Sequence, residues 1–337
     1  MGIPFAVDKS NSLHDFIFYL LKYSILFLLV TNFFGSKRRF IALTWIIILS
    51  SGLFIAGGII YFYIIKGEPI STRFGLPEAG IGVNYIGVIT VIPIFLSLTH
   101  LLTSSRWSHK MLLLLHIFIA SSATALTQTR GTFLGMILPA LLLFFRRRKG
   151  LVAFVVFTAI VFALLPSREI FTSTNLRQKW EEEERKGVWY TYIQIAKDNP
   201  LTGIGFGMET YNKKLLKAYD SMIPEEFAIK GFHAPHNVFL DTAVRLGFVG
   251  LGLFCSLILI SIVLGIRLVR YGKDAFVRNW SLCLVAAIIS CLVQGMFADI
   301  LLNVTVMILF VILAMTSILY RLNQDLSSSL RDRPPDY

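Results

Sequence analysis

Charge is scarce in this chain. Asp, Glu, Lys and Arg make up 15% of its 337 residues, where soluble domains carry about a quarter. That scarcity excludes an ordinary water-facing surface. Acidic residues are the scarcer sign, 20 against 32 Lys and Arg, for a formal net charge of +12. In a soluble protein such a surplus points to nucleic acid. Here it sits in short loops between apolar runs, where an orientation signal is the simpler cause, so nucleic acid is not an expected partner. Cysteine is rare as well. Cys255, Cys283 and Cys291 lie inside apolar runs without metal-ligand spacing, which reads as small buried hydrophobes. The opening MGIPFAVDKSNSLHD lacks the basic start and short apolar core of a cleaved signal peptide. Its sixth residue is Ala6, which misses the myristoylation pattern.

Apolar sequence, by contrast, is abundant: 55% of the residues are hydrophobic. They gather in runs close to the roughly 20 residues that cross a hydrocarbon core of about 30 Å. Nine spans are expected, near 16–34, 40–63, 80–102, 111–128, 131–145, 151–165, 243–269, 280–298 and 303–320. The run at 131–145 is short and follows directly on a polar turn. Each span should be helical, because lipid offers no partner for an open backbone amide or carbonyl. The expected fold is therefore an all-α polytopic membrane protein of about nine transmembrane helices with one long polar loop.

Lys and Arg crowd one set of loops: Lys37 to Arg39, Arg106 and Lys110, Arg146 to Lys149, Arg267, Arg270, Lys273 and Arg278, then Arg321, Arg331 and Arg333. The opposite short loops hold only Lys9, Lys66, Arg73 and Arg130. The crowded side is the cytoplasmic one, which puts the N-terminus outside and the C-terminus inside. An exterior N-terminus without a signal suggests that a longer relative begins with an odd number of further spans. The chain then divides into an N-terminal bundle of six spans (1–165), an exterior loop of short helices (166–242), a C-terminal bundle of three spans (243–320) and a disordered cytoplasmic tail (321–337).

The exterior loop is the one polar body of any size. Its charged run Glu181-Glu182-Glu183-Glu184-Arg185-Lys186 leads into GVWYTYIQIAKDNP. There Val188, Tyr192 and Ile195 recur at helical spacing, as do Trp189, Ile193 and Ala196. Pro200 should stop this helix, and the Gly-rich LTGIGFGMETY follows as a turn.

Four features could carry chemistry. Arg130, in the turn Gln128-Thr129-Arg130-Gly131, is a cation on the disfavoured side of the membrane: either a site residue or an arginine snorkelling to headgroups. Arg185 stands four residues before Trp189. At a helix start its guanidinium fork and the open amides would suit a pyrophosphate, while the preceding glutamates are its bland partners and would repel an anion. Gly203-Ile204-Gly205-Phe206-Gly207 could let backbone approach phosphate, yet it meets no nucleotide motif and reads more simply as a tight loop. Last comes His233-Ala234-Pro235-His236-Asn237 at the exterior mouth of a span. An unperturbed imidazole titrates near pH 6.5, so His236 could take a proton from a sugar hydroxyl. Asp241 is close by, but the set of ligands that zinc requires is missing, so no metal is expected. Asn237 is also a natural helix cap.

In order along the chain, Arg130 in TQTRG, Arg185 with Trp189, the Asp-x-Pro-Leu-x-Gly-x-Gly stretch at 198–205, and His236-Asn237 followed by Gly247 and Gly250 resemble the O-antigen ligase and polymerase superfamily of bacterial membrane glycosyltransferases. The last motif resembles the ligase branch. The likeness runs from about residue 13 to 320, although the family usually carries more spans than the nine read here. It implies an inner-membrane enzyme that moves a glycan from undecaprenyl diphosphate to the lipid A–core acceptor on the periplasmic face, inverting the anomeric centre, without metal or other cofactor. Carried over, His236 would be the general base, and Arg130 and Arg185 would hold the leaving pyrophosphate. Its partners would be the lipid-linked glycan, the glycan acceptor and membrane lipids. His233, Asn237, Trp189, Gly247, Gly250 and Asp299 are supporting candidates, Asp299 from the exterior turn between the last two spans.

Two other readings compete. A polymerase, or a relative that glycosylates protein, would share the donor site and differ in acceptor. A transporter of lipid-linked sugars would instead carry polar residues and broken helices at mid-membrane. The spans are nearly free of charge, Lys22 being the clearest exception and Asn84 a polar residue suited to bonding a neighbouring helix.

Overall fold

The computed structural model describes residues 3–144, 154, 156, 176–207, 219, 235–298 and 304–331, with side chains throughout except at 176–185, 304 and 327–331. Helix dominates, and no strand occurs among the described residues. Seven helices are long and apolar enough to cross a membrane: α1 (Lys9–Phe33), α2 (Lys37–Ile65), α3 (Val83–Thr103), α4 (Trp107–Leu126), α7 (Val238–Tyr271), α8 (Ala275–Gly295) and the last, of which Thr305–Leu326 is the apolar part. That last helix, α9 (Val304–Arg331), continues through residues expected to be an unstructured tail. The short span expected at 131–145 is α5 (Arg130–Phe144). The expected span at 151–165 lies outside the described residues. Two helices are capped by the residues that local chemistry favours. The Asp8 side chain accepts from the Asn11 amide at 2.9 Å before α1, and Ser36 accepts from Arg39 at 3.4 Å before α2. Between them the described helices account for eight of the nine expected spans.

By its contacts the chain forms two compact units, each drawn from several segments. One contains residues 26–170, 260–294 and 308–337. At its centre is α3, in which every residue from Ile86 to His100 is buried. Helices α2, α4 and α5 pack against α3. Trp280 of α8 meets Phe40 of α2 edge to face and lies 4.8 Å from the His100 ring of α3. Several buried polar groups inside this unit bond one another, as low dielectric favours. His116 engages Ser97 at 2.9 Å and Ser51 at 3.2 Å, and His100 engages Thr44 at 2.7 Å. Cys283 and Cys291 are buried here, whereas Cys255 is exposed on α7, against the expectation that all three would be enclosed.

The other unit contains residues 1–25, 171–259 and 295–307. Its amphipathic helix is α6 (Leu176–Asp198). Val188, Tyr192, Ile195 and Ala196 are buried together with Ile204, Ala243 and Val244. The first of the two expected stripes is thus the core face. In the second, Trp189 and Ile193 are about two-fifths exposed, and only Ala196 is buried.

Candidate functional site

Helix α6 ends at Asp198, two residues before Pro200, as expected, but it begins at Leu176 rather than near Arg185. The reason is local. Gln, Lys, Glu and Arg are strong helix formers, so the polar run extends the helix upstream of the apolar periodicity. Arg185 is therefore mid-helix, where the amides are already engaged in the ladder, and the expected helix-terminus contribution to anion binding does not apply to it. Its side chain lies outside those described, as do His233 and Asp299.

One turn after Arg185 on the same helix face, Trp189 donates its indole N–H to the Pro235 carbonyl at 2.8 Å. That carbonyl precedes His236, whose φ of +47° is left-handed. The left-handed region is uncommon outside glycine, although His is among the residues enriched there. Asn237 then caps α7, its side-chain oxygen accepting from the Phe239 amide at 3.0 Å and the Leu240 amide at 3.2 Å. His236 is half-buried. Trp189, His236 and Asn237 thus form one hydrogen-bonded corner.

The glycines of the two motifs meet in a single device. In an unbroken helix the amides of Phe248 and Val249 would bond the carbonyls of Val244 and Arg245. At Gly247 (φ 68°, ψ −177°) the helix opens. Val244 then accepts from the Ile204 amide at 2.9 Å, Arg245 from Gly205 at 3.0 Å, and the Phe248 amide donates to Pro200 at 2.7 Å. A Cβ on Gly247 would come within 2.3 Å of the Leu201 carbonyl oxygen, and one on Gly203 within 2.5 Å of Arg245 backbone. Gly250 admits Leu246, whose Cβ would be 2.2 Å from an added Cβ. Glycines that could have cradled phosphate instead stitch residues 199–207 to α7. Tertiary packing supports the tight-loop reading of 203–207.

One further residue of this device, Arg245, escaped the sequence reading, which weighed its partner Asp241 only as a metal ligand. Arg245 is buried, donates from Nε to Asp241 at 2.7 Å one turn earlier, and donates from Nη1 to the Gly207 carbonyl. The pair locks the end of the loop to α7, and its Asp-x-x-x-Arg spacing was the available signal.

Arg130 belongs to the first-described unit and is exposed as the opening residue of α5. The turn before it is braced by threonines. Thr127 and Thr129 hydroxyls lie 2.9 Å apart, Thr129 donates to Thr132 at 2.5 Å, and all three residues are buried. Gln128 is left-handed (φ 50°) and reaches Ser71. Among the described residues no group of His, Cys, Asp and Glu could hold a metal ion.

The fold defines a polytopic, all-helical membrane protein, and its two candidate corners stand at helix ends. Residues 115–255 match the model of a family described as O-antigen ligase. The match makes that stretch similar to the O-antigen ligase and polymerase superfamily, and it does not tell the ligase branch from the polymerase branch. That family indicates a glycosyltransferase-like enzyme with lipid-linked glycan substrates. Arg130, Arg185, Trp189, His236, Asn237, Gly247 and Gly250 all fall inside the matched stretch. No curated protein matches the chain.

Proposed function

We propose that the protein is a ligase-type glycosyltransferase of the bacterial inner membrane, moving a glycan from undecaprenyl diphosphate to the lipid A–core on the periplasmic face. The acceptor hydroxyl oxygen attacks the anomeric carbon as the His236 imidazole takes its proton. The bond from that carbon to the diphosphate oxygen breaks, and undecaprenyl diphosphate leaves with the electron pair, so the anomeric centre inverts. Arg130 and Arg185 neutralise the developing charge, where fixed cations help most. No metal enters these steps.

The observation that carries this reading is His236 itself. A non-glycine residue held left-handed at the mouth of a helix costs about 1–3 kcal/mol and persists where its surroundings over-determine it, commonly at functional sites. Here the Trp189 bond to Pro235 and the Asn237 cap supply that constraint. The test is transfer from undecaprenyl-diphosphate glycan to lipid A–core by the purified protein, with and without chelator. His236→Ala should lose about 10²–10⁴-fold, the usual contribution of a positioned base, at unchanged melting temperature. Wild-type activity in that variant would end the assignment. Product only with a lipid-linked repeat unit as acceptor would make the enzyme a polymerase.

A further inference from the structure

Helix α6 presents two stripes with different surroundings. Val188, Tyr192 and Ile195 face the core of their unit. A second stripe holds Lys186, Trp189, Ile193 and Lys197, spaced three, four and four residues apart and so on one side of the helix. All four are exposed. From one lysine to the other the stripe runs about 16 Å, at a rise of about 1.5 Å per residue. Neither lysine makes an ion pair with a described residue. Asp198, beside Lys197 in the chain, accepts from the Tyr219 hydroxyl instead. The stripe therefore offers two uncompensated ammonium groups with apolar area between them.

Such a surface does not suit the plane of a bilayer. A helix that lies in the membrane interface buries a whole apolar face in lipid, and the apolar face of α6 is already in the protein core. It suits an anion that carries sugars. Ammonium groups take phosphate or carboxylate as point charges, and the apolar area between them can cover the C–H faces of sugar rings. Location narrows the choice further. Trp189 stands within the stripe and donates to the Pro235 carbonyl, next to His236. A ligand on this stripe therefore borders the corner that bears the proposed base, and the acceptor is the substrate whose hydroxyl must arrive there.

We propose that Lys186, Ile193 and Lys197, on the stripe that Trp189 joins to the His236 corner, form the docking face for the acceptor, an anionic glycolipid whose charged groups meet the two lysines. This rests on the acceptor reading given above, in which lipid A–core is that glycolipid. The lysines hold and orient the acceptor and touch no reacting atom.

The experiment measures binding of labelled lipid A–core, phosphorylated or dephosphorylated, to the full chain in phosphatidylcholine nanodiscs. Donor is left out, so that binding is read apart from transfer. Lys186→Gln and Lys197→Gln should each weaken binding of the phosphorylated form about two- to fivefold, as for an exposed ion pair. Together they should weaken it about tenfold, at an unchanged melting temperature. The difference should fade in about 1 M salt, where the screening length is about 3 Å. Dephosphorylated lipid should bind wild type and the double variant alike. Equal binding of the phosphorylated form by the two proteins overturns the docking face. An equal loss of phosphatidylglycerol offered in its place also overturns it and leaves a headgroup anchor. Transfer with donor added then separates the two readings. Weakened binding in the variants beside no transfer by wild type sinks the ligase reading and leaves the face as a glycolipid site. Transfer by wild type, with binding and acceptor KM unchanged in the double variant, sinks the face and leaves the ligase reading.

Discussion

The corners that bear His236 and Arg130 solve the same problem with different mixtures of local and distant bonds. Each holds a non-glycine residue left-handed, His236 itself in one and Gln128 in the other. The Arg130 turn is braced partly from within, by Thr127, Thr129 and Thr132 over six residues of chain, and partly by the loop that carries Ser71 and Arg73. The His236 corner is braced from a distance. Its Trp189 bond spans 46 residues, and the opening of α7 is filled by amides from 204 and 205. The hydroxyl bonds of the Arg130 turn close within its own six residues. A corner stitched from distant segments has its shape only when those segments have folded together, so the geometry of the proposed base is coupled to the whole of its unit.

Gly247→Ala should do the most damage. The left-handed backbone alone costs about 1–3 kcal/mol, and the new Cβ collides with the Leu201 carbonyl. Thermal unfolding and amide exchange would show a large destabilisation, with protection lost at residues 201–207 first. Retained protection there would break the idea that the distant stitches hold the corner. Thr129→Val should be milder, about 1–3 kcal/mol, because Thr127 and Thr132 each lose a buried hydroxyl partner. Its loss should appear in melting temperature, and exchange at 201–207 should stay as in wild type. Trp189→Phe keeps the ring and removes the 2.8 Å bond to Pro235. About 0.5–1.5 kcal/mol of stability should go, with a fall in turnover at little change in donor KM. A rise in KM alone would mean that Trp189 meets substrate rather than positioning His236.

The smallest effect concerns the loop that carries Arg73. A hydrogen bond from Lys66 holds the Glu78 carboxyl below its ordinary range. A carboxylate depressed in the folded state contributes above its unfolded value and loses that contribution as pH falls through the folded one. The melting-temperature difference between wild type and Glu78→Gln should therefore be small at neutral pH, begin to shrink near pH 4.3 and vanish once pH is below the depressed folded value. A difference that grew in acid would contradict the pairing.

Much of this was legible in the residues. Apolar run lengths located the spans, and the Asn237 cap and the end of α6 near Pro200 followed from backbone chemistry that needs no tertiary partner. The start of α6 was misjudged because apolar periodicity marks where a helix packs, while Glu181–Glu184 and Arg185 extend it by propensity alone. The glycines at 203, 205 and 247 were visible as motifs, but either a phosphate cradle or a tight loop would need them, and only the bonds from 204 and 205 to α7 decided between these.

By itself the sequence determined an all-helical membrane chain, the residues able to carry acid–base and anion chemistry, and the local caps and turns. These rest on hydrophobicity, propensity and short-range bonding, which act within a few residues. Tertiary structure alone decided that α7 opens at Gly247, that Trp189 holds the carbonyl before His236, and that Arg73 bonds the turn of Arg130. Each depends on an open backbone group finding a partner far away in the chain, and one strand of sequence does not state which distant donor will arrive.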